Sequence, residues 1–203
     1  EMVHYTLTYF DLRGRAESIR QVFAYAGVPF DDVRVPRDKW TEIKPQTPLG
    51  QLPVLAVDGA PIGQSVTILR FLGRQFGMTG KTPLEAARLD MIIDCLQEFY
   101  EEIKPFMATQ LGFGKGDRQQ LHSNVFVPNR DKYLALLAKN IHGDFILDND
   151  VTWADIHRAN SLDLLSSIPG ALDGFPSLRA HVERVHSLPR LKAYLAARPD
   201  APY

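Results

Sequence analysis

One stretch of this 203-residue chain, residues 49–72, constrains the fold more than any other. A short apolar run, Val54–Val57, is followed by Asp58-Gly59, the strongest two-residue signal for a hairpin turn. A return strand starts at Pro61-Ile62, and apolar residues then recur at helical spacing behind Ser65. The stretch therefore predicts a hairpin that leads directly into a helix.

The start of this helix is predicted to bind an anion. Serine is a favoured N-cap residue, and the backbone N–H groups of a first helical turn have no intrahelical partner. Such a helix end attracts carboxylate or phosphate groups, although Gln64-Ser65 would equally serve as a plain cap. Pro53, which follows Leu52 at the start of the hairpin, suits a cis peptide bond that would turn the Leu52 backbone toward a ligand.

Composition argues against several classes of protein. The chain carries 23 basic and 24 acidic residues, so it shows no electrostatic footprint for nucleic acid or an anionic membrane. No apolar run approaches the roughly 18 residues of a membrane span, and the N-terminus lacks the apolar core of a secretory signal. We therefore expect a soluble, cytoplasmic protein.

The cysteine and histidine residues also narrow the chemistry. Cys95 is the only cysteine, which excludes an intrachain disulfide, a Cys-rich zinc site and a Cys-x-x-Cys redox pair. The six histidines are scattered without ligand spacing, so neither a metal site nor a Ser-His-Asp triad is indicated. We expect no metal.

The predicted secondary structure changes near residue 77, from a mixture of strands and helices to mostly helices. Before it, the alternation of Val3–Tyr9, a helical pattern over Arg15–Ala26 and a strand at Phe30–Val35 predict a right-handed parallel crossover. After it, nearly every segment is helical, with helices near 84–110, 121–140, 153–167, 175–186 and 188–198. We predict an α/β domain over 1–76, a linker at 77–83 and an all-helical domain over 84–203.

Several motifs together resemble one family. A strand ending in Tyr9-Phe10 is followed by Arg13-Gly14-Arg15-Ala16-Glu17 at a helix start, as in the sigma class of glutathione transferases, which includes the haematopoietic prostaglandin D synthase type. Further agreement comes from Trp40 with Lys44, Gly50–Pro53, Gln64-Ser65 and Val151–Asp155. The resemblance spans nearly the whole chain. It implies a thioredoxin-like βαβαββα domain with a mixed sheet, followed by an all-helical domain.

The resemblance implies glutathione as co-substrate and Tyr9 as the catalytic residue whose hydroxyl donates a hydrogen bond to the glutathione sulfur. A thiol with a pKa of about 8.5 is only slightly ionised at neutral pH, and the thiolate is the nucleophile. Lowering that pKa by two units needs about 2.7 kcal/mol. A hydrogen bond to a charged acceptor supplies roughly 1.5–3 kcal/mol. Arg15 matches a family arginine near the thiolate, although both residues have ordinary packing or surface interpretations outside the motif.

The resemblance assigns the other contacts to glutathione residue by residue. Trp40 and Lys44 would lie at the glycine carboxylate, Gln51 and the backbone of Leu52 before Pro53 at the cysteinyl unit, and Gln64-Ser65 at the γ-glutamyl end. Glu98 stands where family members send an aspartate across a homodimer interface, and it is longer by one methylene. With Asp90 and Asp94 it also forms a row at four-residue spacing that is typical of a solvated helix face.

The electrophile is predicted to bind in an apolar pocket between the domains. By resemblance, its candidate lining residues are Phe10, Arg13, Gly14, Phe106, Met107 and Tyr203. Elsewhere, Thr152-Trp153-Ala154-Asp155 fits a helix capping box, and we interpret it as structural.

The predicted function is conjugation of glutathione to hydrophobic electrophiles by a homodimer, with hydroperoxide reduction as a further activity. One alternative is a glutathione-dependent prostaglandin-type isomerase, although Pro105-Phe106 stands where that type has Pro-Trp. Another is a carrier of haem or other hydrophobic ligands at the dimer cleft, or a crystallin-like structural protein. Retention of the expected glutathione residues argues against a purely structural role.

Overall fold

The computed structural model describes residues 3–148 and 150–201. The chain divides into two compact units, one comprising Glu1–Thr79 with Arg184–Tyr203 and the other comprising Gly80–Glu183. The first unit passes into the second between Thr79 and Gly80, and the linker at 77–83 stays a prediction. The predicted helical domain, 84–203, differs from the second unit because the C-terminal helix packs along the first helix of the chain and groups with the first unit.

The elements follow one another in a βαβαββα order and then as helices only. In chain order they are β1 (Tyr5–Phe10), α1 (Glu17–Ala26), β2 (Asp31–Val35), α2 (Trp40–Ile43), β3 (Val54–Val57), β4 (Ala60–Gly63), α3 (Ser65–Gln75), α4 (Pro83–Gln110), α5 (Arg118–Leu121), α6 (Val127–Lys139), α7 (Trp153–Leu165), α8 (Pro176–His186) and α9 (Pro189–Ala197). The thioredoxin-like fold with a helical second part is thus confirmed.

The four strands form one mixed sheet in the order β2-β1-β3-β4. β1 and β2 are parallel, as the predicted crossover requires, and β3 is antiparallel to both β1 and β4. Val57 pairs with Ala60, so the hairpin turn contains only Asp58 and Gly59, both at positive φ (48° and 85°). Pro61 lies in the edge strand β4, where a missing backbone donor is tolerated.

The first helix starts later than its sequence pattern predicted. The helical pattern began at Arg15, but Gly14–Ala16 forms a 3₁₀ turn and α1 begins at Glu17. Gly14 has φ +41°, a left-handed conformation that glycine adopts without a Cβ penalty. The buried face of α1 includes Val22 and Phe23, and Gly27, in the left-handed conformation, caps the C-terminal end of the helix.

Helices make up most of the second unit, and a π-helical turn separates two of them. The helix predicted over 121–140 instead consists of α5, a π-helical turn at His122–Phe126, and α6. Pro128 lies in the first turn of α6, where it has no N–H to donate and its ring disfavours the regular bond to the carbonyl four residues earlier. Among the residues that the structure describes, no helix combines the length and apolarity needed to cross a bilayer.

A buried polar cluster lies at the start of α7. The capping box is confirmed, because Asp155 and Thr152 exchange backbone-to-side-chain bonds. The Asp155 carboxylate also accepts hydrogen bonds from the Ile146 N–H (2.8 Å) and from Nε2 of the fully buried His181 (3.0 Å). The guanidinium of Arg158, with 0% side-chain exposure, lies 3.8 Å from the same carboxylate.

Candidate functional site

The strand register gathers the predicted ligand-binding segments of the first unit at one edge of the sheet. Phe10 pairs with Val35, so the ends of the parallel strands β1 and β2 coincide. Val54, the first residue of β3, pairs with Thr8 on one side and with Gly63 on the other. The segments that follow β1, β2 and β4 and the segment that precedes β3 therefore meet at this edge.

Tyr9 occupies the buried face of β1 and directs its hydroxyl toward the turn before α1. The side chain is 8% exposed, and the hydroxyl oxygen accepts a hydrogen bond from the Arg15 backbone N–H at 3.2 Å. A Cβ at Gly14 would lie 2.6 Å from the same oxygen, so only glycine permits this approach. The backbone rather than the side chain of Arg15 contacts the tyrosine; the side chain is exposed.

The hydrogen bond to Tyr9 has a chemical consequence. Since the phenol oxygen accepts from the backbone of Arg15, its own O–H proton remains available to an acceptor outside the protein. Among the described residues, none accepts a hydrogen bond from this hydroxyl. The arrangement suits a donor that stabilises an anion such as a thiolate.

Trp40 and Lys44 lie on the segment after β2, within reach of the same edge. The Trp40 ring meets the Phe10 ring edge-on with centroids 5.5 Å apart, and Phe10 is in turn 5.6 Å from the Tyr9 ring. A Cβ at Gly50 would lie 3.5 Å from Cε of Lys44, so the lysine stem passes over the residue before Gln51. Lys44 itself is exposed and thus open to an anionic partner.

The bond between Leu52 and Pro53 is cis, as the sequence predicted. Next to it, Nε2 of Gln64 donates to Oε1 of Gln51 at 3.2 Å, which links the segments before β3 and after β4. No local sequence pattern indicates this link, because the two residues are thirteen positions apart.

The start of α3 differs from the prediction in one respect. Ser65 is the first helical residue and is buried, whereas the N-cap is Gln64, whose side chain makes no capping bond. Gln64 has φ 69°, an unusual conformation for a residue other than glycine. The helical ladder starts with the bond from the Ile68 N–H to the Gln64 carbonyl, 2.9 Å, so the three N–H groups of Ser65–Thr67 precede it.

The remaining predicted residues are distributed over the two units. In the second unit, Glu98 is exposed on α4, and the Phe106 ring is 1% exposed and packs on Phe126 with centroids 4.8 Å apart. Met107 beside it is also buried. In the first unit, Arg13 is half-buried before α1. Tyr203 lies outside the described residues.

The described residues contain no group of three or more His, Cys, Asp or Glu side chains that could hold a metal ion. The first unit nevertheless brings together a buried phenol with a free donor, a lysine and the first turn of a helix. These are groups that bind and stabilise anions.

Comparisons with known families agree over both parts of the chain. The family model described as "Glutathione S-transferase, N-terminal domain" matches residues 5–74, and the model described as "Glutathione S-transferase, C-terminal domain" matches residues 103–198. Glutathione S-transferase 1 of Ascaris suum is 44% identical to this chain over 206 aligned residues, and the alignment covers 100% of each protein.

Solved structures give the same result. A Nu-class glutathione S-transferase from Haemonchus contortus has a TM-score of 0.92 at 40% identity, with 100% of each chain covered. A monomeric glutathione S-transferase from Necator americanus has a TM-score of 0.94 at 40% identity, covering 98% of this chain and 100% of that one. A prostaglandin D synthase from Nilaparvata lugens is less similar, with a TM-score of 0.85 at 31% identity and coverage of 97% and 99%.

Proposed function

Because the chain belongs to the glutathione S-transferase family and is such an enzyme, we propose that it conjugates glutathione through a thiolate stabilised by Tyr9. The bound thiol loses its proton to solvent, and the Tyr9 hydroxyl donates a hydrogen bond to the resulting thiolate sulfur. The thiolate then attacks an electrophilic carbon of a hydrophobic substrate and forms a thioether, while the leaving group departs with its electron pair. Reduction of hydroperoxides is a second proposed reaction: the thiolate attacks the terminal oxygen, the O–O bond breaks to release the alcohol after protonation, and a second glutathione thiol converts the sulfenic acid into the disulfide and water.

One observation carries this proposal. The Tyr9 oxygen accepts a hydrogen bond from the Arg15 backbone, which fixes the phenol and leaves its proton for the substrate sulfur. A donor that is already held in position before the reaction stabilises developing charge without reorganisation. The exposed Arg15 side chain would add a positive charge near the thiolate.

The other proposed contacts orient the thiol. Lys44 and Trp40 would bind the glycine carboxylate, and the Gln51 side chain with the Leu52 backbone before Pro53 would bind the cysteinyl unit. Gln64 and Ser65 would hold the γ-glutamyl carboxylate on the first turn of α3. The hydrogen bond between Gln51 and Gln64 supports this arrangement, because it holds two of these side chains together.

Within the family, the comparisons favour conjugation over prostaglandin isomerisation. The sigma-class assignment stays a prediction. Identity is higher to the nematode enzymes, 44% and 40%, than to the insect prostaglandin D synthase, 31%. Pro105-Phe106, in place of the Pro-Trp of the synthase type, points the same way. Carriage of haem or another hydrophobic ligand, and a cytoplasmic location, also stay predictions.

The proposed function is tested by glutathione binding in a calorimeter, followed in the same sample by turnover of a chloronitrobenzene-type electrophile. We expect saturable binding and formation of the thioether. Binding without turnover of any electrophile would contradict conjugation and favour an isomerase or a ligand carrier. If glutathione does not bind, every glutathione-dependent function is contradicted, and the crystallin-like structural role is favoured.

A homodimer is proposed together with a role for Glu98. If this carboxylate reaches the γ-glutamyl ammonium bound to a partner subunit, Glu98→Gln should weaken glutathione binding by about fivefold, since an exposed charge pair contributes modestly. Glu102→Gln makes the same change one turn further along α4, at another exposed position, and should leave the affinity unchanged. Calorimetry would be combined with sedimentation, because a relative of this chain is monomeric. Equal glutathione affinities in the two variants would contradict the contact across the dimer and leave Glu98 as an ordinary solvent-exposed residue.

A further inference from the structure

The turn before α1 encloses the Tyr9 hydroxyl. We call Arg13–Glu17 the tyrosine-facing turn, because it supplies the Arg15 N–H that binds the oxygen at 3.2 Å and places Gly14 against it. The Glu17 N–H donates to the Arg13 carbonyl at 3.0 Å and closes this turn. A displacement of Glu17 therefore moves the hydrogen-bond donor that fixes the tyrosine.

The Glu17 side chain is held by residues from the other end of the chain. The residue is only 3% exposed. Its Oε1 atom accepts a hydrogen bond from Nη1 of Arg198 at 2.7 Å, and Oε2 accepts one from the Tyr194 hydroxyl at 3.2 Å. The 2.7 Å bond from Arg198 has the length of a strong, directional charge-assisted bond, and the longer bond from Tyr194 gives the other carboxylate oxygen a second partner. Burial, followed by the charge of Glu17, raises the pKa of Tyr194, so this phenol stays a donor.

A buried arginine, Arg20, holds the same turn from within the α/β part. Arg20, 1% exposed, lies 3.7 Å from Oε2 of Glu17 and donates to the carbonyls of Leu12 (3.0 Å) and Arg13 (3.4 Å). Its Nε atom is 3.1 Å from both carboxylate oxygens of Asp32. Glu17 is thus the point at which this internal network meets the C-terminal helix.

The C-terminal helix, α9, is bonded to both ends of α1 through an arginine at each of its own ends. At the end distant from Glu17, Nη1 of Arg190 donates to the carbonyls of Tyr25 and Ala26, each at 3.1 Å. These carbonyls belong to the last turn of α1, where no intrahelical donor follows. α9 therefore runs antiparallel to α1. Its Arg190 contacts the end of α1 that is distant from the tyrosine-facing turn, whereas Arg198 contacts the turn itself, and Asp200 beyond it lies 3.7 Å from Arg13.

We propose that Arg198 and Tyr194 are positioning residues for the transfer reaction, because by holding Glu17 they fix the tyrosine-facing turn and the Tyr9 hydroxyl. The proposal rests on the proposed function, since it acts through Tyr9. It makes the C-terminal helix part of the reaction machinery although Arg198 is 181 positions from Glu17. Neither residue touches the reacting atoms.

The test is the pH profile of kcat/KM for conjugation by the full-length protein. Arg198→Met keeps an aliphatic side chain and removes the donor. We expect the acid limb of its pH profile to move upward by about half a pH unit. This shift lowers kcat/KM about threefold at pH values below the thiol pKa. KM for glutathione should change less than kcat, because the peptide contacts remain. Tyr194→Phe, which removes only the hydroxyl, should shift the limb in the same direction.

The matched control is Arg190→Met, which breaks the contact at the other end of the same helix. It should lower the melting temperature as Arg198→Met does, yet leave the pH profile in place. An unmoved limb in both Arg198→Met and Tyr194→Phe, or an equal shift in Arg190→Met, would overturn the positioning role.

A double substitution separates this proposal from the proposed function. In a Tyr9→Phe background, Arg198→Met should cause no further shift, because both changes act through one hydroxyl. A shift that persists in that background overturns the positioning role alone. A Tyr9→Phe enzyme that keeps the wild-type profile overturns the role of Tyr9 in the proposed function.

Discussion

Tyr9→Phe should lower the conjugation rate about 25-fold at neutral pH, because loss of about two pKa units of thiol stabilisation leaves a few per cent of bound glutathione ionised. The ring and its packing against Phe10 remain, so the fold should be unaffected. Glutathione affinity should stay within about twofold, since the peptide contacts are retained. The difference in rate should shrink as the pH rises above the thiol pKa of the variant. Rates across the pH range and calorimetric affinities provide the measurement.

Tyr5→Phe is the matched control for this substitution. Tyr5 lies on the same buried face of β1, at 5% exposure, and its ring packs against Phe23 and Phe76. The same hydroxyl is thus removed four residues from the proposed donor, and activity should remain at the wild-type value. Parallel pH profiles of wild type and Tyr9→Phe, or equal losses in both variants, would contradict the assignment of Tyr9.

The parts of the site that the sequence predicted correctly depend on local chemistry. Asp58-Gly59 specifies a two-residue hairpin because both positions need positive φ, and the structure has both. The cis bond before Pro53 was likewise predicted, since proline reduces the preference for trans. The alternation along β1 placed Tyr9 on the buried face. Each signal is contained within a few neighbouring residues.

The parts that the sequence did not predict depend on contacts between distant segments. Serine is a favoured N-cap residue, which made Ser65 the expected cap. The N-cap is instead Gln64, at φ 69°, and its side chain is hydrogen-bonded to Gln51. The buried Glu17 lies in a helix start that looks like an ordinary charged first turn. Its partner Arg198 is at the far end of the chain, so no local pattern connects them. The same contact explains why the C-terminal helix groups with the first unit rather than with the second.

The two capping boxes of the second unit show how burial changes the importance of one motif. Thr152 and Asp155 form a capping box at α7, and Thr82 and Glu85 form another at α4. The bonds are of the same kind, but Asp155 is fully buried, whereas Glu85 is partly exposed to solvent. The buried box also carries an ion pair, with the Arg158 guanidinium 3.8 Å from the Asp155 carboxylate. The sequence pattern cannot distinguish the two, since burial is set by the surrounding helices.

The Asp155 cluster also makes the stability of the second unit depend on pH. Burial alone would raise the pKa of the Asp155 carboxyl, but the hydrogen bond from His181, the charge of Arg158 and the hydrogen bond from Thr152 together lower it below its usual value. Because the carboxyl is more acidic in the folded chain, it contributes stability fully above its unfolded pKa of about 3.9. That contribution is lost as the pH falls through the lower folded value.

Asp155→Ala should destabilise the protein by about 3–5 kcal/mol, because it leaves the buried Arg158 without its carboxylate and frees the N–H groups of Ile146 and Thr152. Burial already lowers the pKa of Arg158 to about 10 against the opposing effect of Asp155, so the uncompensated charge is costly. Urea unfolding at neutral pH measures the loss.

Two further variants locate the cause of that destabilisation. Asp155→Asn keeps a carbonyl oxygen for the cap and removes the charge, so its loss should lie between those of wild type and Asp155→Ala. Glu85→Ala removes the corresponding residue of the partly exposed box and should have a much smaller effect. If Asp155→Ala and Glu85→Ala lost equal stability, the capping bonds alone would account for the role of Asp155. The buried contacts of Asp155 with Arg158 and His181 would then contribute no measurable free energy of unfolding. In that case the stability of wild type should also fall no more steeply in acid than that of Asp155→Ala.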